Sequence, residues 1–134
     1  MPKIAIGGSC VRLVLVLALL TISGCGGSYS AAAHRVNPEI ARSTLVSVLD
    51  GWKAGDTPDD WQQKGPSVVI QDFDWKGGAQ LTSYEILTSE AIDANLHCQV
   101  KLSLNSPTGA ESEKTVTYLV STSPVLTVFR GPGP

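Results

Sequence analysis

The spacing of apolar residues changes once along this chain, at Gly65-Pro66, and no other feature restricts the fold as much. Ahead of it, Ile40, Ala41, Leu45, Val48, Leu49 and Trp52 recur at three- and four-residue intervals, while Glu39, Arg42, Asp50 and Lys53 fall between them. An apolar stripe on a 3.6-residue period marks an amphipathic helix with one side buried. Its ends carry their own signals. Asn37 can accept from the first free amides, Pro38 presets the first helical φ, and Gly55 offers the left-handed residue that closes a helix. Thr57, Pro58, Asp59 and Asp60 then repeat the start signal for a short second helix containing Trp61, stopped by Gly65-Pro66.

Beyond Gly65-Pro66 the period shortens. Apolar and β-branched runs mark strands over 67–73, 80–88, 95–104, 113–121 and 125–129. Turn-rich stretches separate them: Lys76-Gly77-Gly78, Asn105-Ser106-Pro107-Thr108-Gly109 and Ser121-Thr122-Ser123-Pro124. Helices followed by consecutive strands with short links predict an α+β domain: an N-terminal helix and a short second helix packed on an antiparallel sheet of four to five strands. The domain is expected over residues 37–130, with a disordered tail at 131–134.

The residues before 37 follow neither period. Lys3 and Arg12, with no acid, precede an apolar run over 13–20 that Thr21 and Ile22 extend. A basic head and a short apolar middle make a secretory signal. About 20 apolar residues are needed to cross a bilayer as a helix, and this run is roughly half that length. Ile22-Ser23-Gly24-Cys25 resembles the lipobox of bacterial lipoproteins, an aliphatic residue, two small ones and a cysteine. The resemblance implies a signal peptide over 1–24 cut after Gly24, a diacylglyceryl group on the Cys25 thiol, and acylation of the freed amine. It also implies a lipid-anchored protein of the cell envelope, outside the cytoplasm; Gly26 after the cysteine points to the outer membrane, facing the periplasm, where the organism has one. Each buried methylene contributes about 0.8 kcal/mol, so two or three chains hold a protein on a membrane stably. Residues 25–36 are then a tether, whose 11 residues after the cysteine reach on the order of 18 Å, enough to lift a domain just clear of the headgroups.

Removing residues 1–24 takes away Lys3 and Arg12 and no acid, so the net charge moves from −2 to −4. A spread acidic balance argues against nucleic acid and against electrostatic docking on anionic lipid, both of which need clustered cations. The remaining 110 residues suffice for one modest core. Cys10 leaves with the signal and Cys25 is the lipidation site, so Cys98 has no partner in its own chain. It lies on the apolar side of an alternating strand over 96–104, where a free cysteine behaves as a small buried hydrophobe.

At VLDGWKAGDTPDDW, residues 48–61, the chain resembles the helical opening of nuclear transport factor 2-like and polyketide-cyclase-like domains, with Trp52, Gly55 and Asp56 in the aromatic, spacer and acidic positions. Cystatin-like folds share the plan of a helix on an antiparallel sheet. The enzymatic members place a His/Asp pair on neighbouring strands, and this chain has none, so the resemblance implies no catalytic residue.

Candidate chemistry is sparse. Asp72-Phe73-Asp74-Trp75-Lys76-Gly77 begins like a calcium loop, but Lys76 occupies a ligand position and Ser83 the place of the closing glutamate. A strand end and turn explains it better, with Phe73 and Trp75 on one side of the chain packing on the helix. Asp56, Asp59 and Asp60 suit the N-terminus of a short helix. His34 falls in the tether and His97 on the polar side of its strand, neither promising the fixed partner that a catalytic base needs. No nucleophile motif, phosphate loop, metal-ligand spacing or cofactor signature is present.

Two readings of function remain. In the first, the anchored domain is a non-enzymatic protein interaction module, a homodimer or the partner of another envelope protein, through a sheet face on which Leu119 and either Leu126 or Phe129 are exposed. In the second, Trp52, Trp75, Tyr84 and Tyr118 line a small-ligand pocket between helix and sheet. An isomerase- or cyclase-type enzyme ranks third.

Overall fold

The computed structural model describes residues 34–133. Gly24, Cys25 and the rest of the signal and tether up to residue 33 lie outside the described residues.

Helix α1 (Pro38–Ala54) forms where the 3.6-residue stripe predicts it. The Asn37 side chain accepts from the amides of Glu39 and Ile40, each at 3.1 Å, and Gly55 closes the helix at φ 100°. Helix α2 (Pro58–Gln62) opens with a capping box, in which Asp60 N donates to Thr57 Oγ1 and Thr57 N donates to Asp60 Oδ2. There follow β1 (Val68–Gln71), a helical turn α3 (Phe73–Lys76), and strands β2 (Gln80–Ile92), β3 (Asn95–Asn105), β4 (Glu111–Ser121) and β5 (Leu126–Arg130).

The protein is α+β, with its helices packed on a five-stranded sheet of order β1-β5-β4-β3-β2. From β2 to β5 every pairing is antiparallel. β1 departs from the all-antiparallel expectation: it pairs parallel with β5, Val68 beside Leu126 and Gln71 beside Phe129. The reason is local. β1 has four residues and runs directly into α3, so it does not fold back on β2 as a hairpin; the two strands become opposite edges of the sheet. The long edge β2 carries register shifts between Leu81 and Ser83 and between Ile86 and Thr88, irregularities that blunt an edge against unwanted pairing.

One face of the sheet carries the core. Ala41, Leu45, Val48, Leu49 and Trp52 of α1 are buried with Leu96, Cys98, Val100 and Leu102 of β3, Val116, Tyr118 and Val120 of β4 and Val128 of β5. The core starts one residue earlier than expected: Val36, assigned above to the tether, is buried, and its amide donates to Asp93 O at 3.0 Å. The next amide, Asn37 N, donates to Thr122 Oγ1 at 3.0 Å. At the other terminus Gly131 N donates to Thr117 O at 2.7 Å, so pairing continues one residue into the expected tail.

Candidate functional site

The parallel β1–β5 pairing has a chemical result. It sets Gln71 beside Phe129, so Asp72 comes next to Arg130, and β4 places Tyr118 on the other side of Arg130. Arg130 Nη2 donates to both Asp72 oxygens, at 2.9 and 2.8 Å, and Tyr118 Oη donates to Asp72 Oδ2 at 2.5 Å. Trp75 N donates to Asp72 Oδ1 at 3.1 Å, so the same carboxylate caps α3. Arg130 Nη1 and Lys114 Nζ converge on Asp74 Oδ2 at 2.9 and 3.0 Å.

Asp72 is only 1% exposed, and a carboxylate so placed needs paired donors to offset its lost hydration. It has them. Burial would raise the Asp74 carboxyl, but hydrogen bonds from Lys114 and Arg130 outweigh it and hold the group below its usual range. Burial, then the charge and hydrogen bond of Asp72, push the Tyr118 phenol well up, so it stays a donor. Burial also opposes the Arg130 charge; the oxygens of Tyr118, Asp72 and Asp74 more than compensate and raise its pKa. The cluster neutralises itself from within.

The four aromatics expected to line a pocket separate into three settings. Trp52 and Trp75 stack on each other, centroids 4.9 Å apart and planes 5° from parallel, and their indole N–H groups donate to Ala79 O and Asp56 O, each at 2.9 Å. Tyr118 belongs to the charged cluster. Tyr84 donates to Asp50 Oδ1 at 2.7 Å on the rim of the helix layer, and burial with the Asp50 charge pushes its phenol up to about 12. Each fills space or anchors an element. Phe73 corrects a further expectation. Residues 73–76 form a helical turn rather than extended chain, so Phe73 and Trp75 point about 200° apart. Trp75 faces inward, and Phe73 is 82% exposed.

The opposite face of the sheet carries no helix among the described residues. Since Val68, Ile70, Val116, Tyr118, Val120 and Val128 point into the core, alternation sends Val69, Gln71, Thr117, Leu119, Thr127 and Phe129 to the other side. Leu119 and Phe129 stand directly opposite each other in register, both half-buried, with His97 beside Leu119 and Gln71 beside Phe129. Of the two alternatives left open by the sequence, Phe129 is the one on this face; Leu126 packs against the core. The charged pair Lys101–Glu113, 3.1 Å apart, lies further along β3 and β4, leaving the β1-β5-β4 part of the face neutral.

Cys98 is fully buried, and desolvation raises its thiol pKa. In the acidic stretch, Asp60 closes the capping box, whose backbone and side-chain hydrogen bonds from Thr57 lower its pKa, and Asp56 pairs with Lys64 at 3.1 Å. Among the described residues no group of His, Cys, Asp and Glu is arranged to hold a metal ion, and no helix is long and apolar enough to cross a membrane. Sequence reasoning missed Arg130 entirely. Its signal was a lone arginine ending an apolar strand opposite Tyr118, legible only with the parallel partner strand in place. No protein family, curated protein or solved structure matches the chain.

Proposed function

We propose that this chain is a non-enzymatic, lipid-anchored protein of the cell envelope, held by acylated Cys25, whose α+β domain is a protein interaction module working through its open sheet face. The observation that supports this reading best is the neutral surface centred on the in-register pair Leu119 and Phe129, ringed by Thr117, Thr127, Gln71 and His97. An apolar centre with an uncharged polar rim is the composition of an interface, and it sets no like charges against each other when two copies meet about a twofold axis. A second copy of this chain is therefore the partner we put first. The charged cluster pairs both Asp72 oxygens internally, leaves only Arg130 Nε of its buried side-chain N and O atoms without a partner, and closes Asp72 to solvent, which fits a structural role better than a catalytic one.

Native mass spectrometry of the mature protein in detergent tests the module. A dimer that becomes a monomer in Leu119→Asp and Phe129→Asp, with unchanged circular dichroism, supports it; a monomeric parent protein overturns the choice of partner. Cys25→Ser tests the anchor separately: the protein should leave the membrane fraction or accumulate uncleaved, and normally processed membrane protein would contradict the lipobox.

A further inference from the structure

Of the five large apolar side chains left exposed among the described residues, Phe73 and Leu87 stand apart and the other three gather at one end of the domain. Ile40, Ile92 and Val125 are 48%, 42% and 53% exposed, and they come from three different elements. Ile40 lies in the first turn of α1, Ile92 ends β2 at the Asp93-Ala94 turn, and Val125 follows the Ser123-Pro124 loop. Each is within three residues of a group that binds the incoming chain: Val36 N donates to Asp93 O, Asn37 N donates to Thr122 Oγ1, and Asn37 caps the turn holding Ile40. Turns and loop tips at a free surface are ordinarily polar. Here branched aliphatics stand in or directly beside them at the one end of the domain where the chain enters.

We infer that this end, through Ile40, Ile92 and Val125, rests against the lipid surface that holds Cys25. The inference stands on the anchoring reading. Nine residue steps separate Cys25 from His34, at most about 30 Å of extended chain, so an anchored protein cannot carry this end further from the bilayer. The tether allows clearance but does not enforce it, and burying three aliphatic side chains among headgroups favours contact. The charges nearby define the kind of surface. In sequence beside these positions two cations, Arg35 and Arg42, are outnumbered by Glu39, Glu90 and Asp93, so no cation cluster draws this end to anionic lipid, and the contact is one for zwitterionic headgroups, insensitive to salt. It also orients the domain: β3 runs away from the bilayer for about 33 Å, carrying the Ser106 to Ala110 turn to the far end and leaving the open sheet face side-on to neighbours.

The test uses the full mature protein reconstituted in phosphatidylcholine vesicles, with a nitroxide on Val125→Cys, Ile92→Cys or, at the far end, Thr108→Cys; Cys98 is fully buried and stays unlabelled. Collision with oxygen should exceed collision with an aqueous nickel chelate several-fold more at 125 and 92 than at 108. Equal, water-like ratios at all three sites on protein whose Cys25 carries acyl mass would overturn the lipid contact and leave the anchor standing. Low collision with both reagents at 125 and 92 would mean that a second copy of the protein covers this end instead, and would equally overturn the lipid contact. Absence of acyl mass on Cys25 would overturn the anchoring reading and this inference with it.

Discussion

The two faces of the sheet are built from alternate residues of the same strands, yet they obey different constraints. On the inner face Val116, Tyr118, Val120 and Val128 are fixed by volume and by hydrogen bonding under α1. On the outer face Thr117, Leu119, Thr127 and Phe129 meet no helix among the described residues and keep partial exposure. Inner positions therefore record what the fold requires, and outer positions record what the surface is for. The charged cluster marks the boundary, since it is the place where the inner face reaches the sheet end and must satisfy ions out of water.

The largest effect should come from that boundary. Asp72→Asn keeps the oxygen that caps α3 but sets an amide against Arg130 and removes the charge that offsets its burial. Breaking a buried pair from one side costs about 3–5 kcal/mol, and urea unfolding should show a loss of that size. A loss under about 1 kcal/mol would mean that water reaches the cluster and that the inner face ends before Tyr118.

The faces themselves are compared by deleting the same side chain from each. Leu102→Ala opens a cavity at a fully buried site and should cost about 2–5 kcal/mol, whereas Leu119→Ala, on the open face of the neighbouring strand, should cost the monomer well under half as much. Equal costs would show that the outer face is covered in solution. Gly51→Ala probes how tightly the helix layer is closed over the inner face. In an open helix the change would be stabilising, but here the new Cβ would come within 2.7 Å of the Trp61 ring and of Asp56 Oδ2. A loss of about 1–3 kcal/mol is expected, and a gain would show that α2 moves away without cost.

How far the sequence discloses this arrangement depends on the range of each interaction. The Asn37 and Thr57 caps, Gly55 and the strand alternation around Cys98 are set within a few residues of chain, and each is legible there. Asp72 and Arg130 are 58 positions apart and meet only because β1 pairs parallel with β5, a choice that no local pattern encodes. Phe73 was misread for a related reason: an alternating apolar pair looks like strand until the Asp72 cap turns the backbone helical. The apolar end at Ile40, Ile92 and Val125 was invisible for the same cause, since three separate elements supply it. Leu119 is legible on the outer face because the strand's own alternation announces an apolar residue on the wrong side, although the structure leaves it half-buried rather than exposed.

The smallest effect expected is a dependence on alkaline pH, and it separates a core phenol from a rim phenol. Tyr118 and Tyr84 both have folded-state pKa values above the ordinary 10, each first through burial and then through a carboxylate. For a raised acid the sign is fixed: the stability it contributes is fully present below the unfolded value and is lost as pH rises toward the folded one, because the unfolded chain releases its proton first. Stability should therefore hold up to about pH 10 and then decline, the Tyr84 part ending near 12 and the Tyr118 part adding to the same decline. Urea midpoints between pH 9 and about 12 measure the slope, and Tyr84→Phe should flatten it without removing it. Parallel curves for Tyr84→Phe and the parent protein would mean that the Asp50 contact is open to water and that the rim of the helix layer behaves like the outer face.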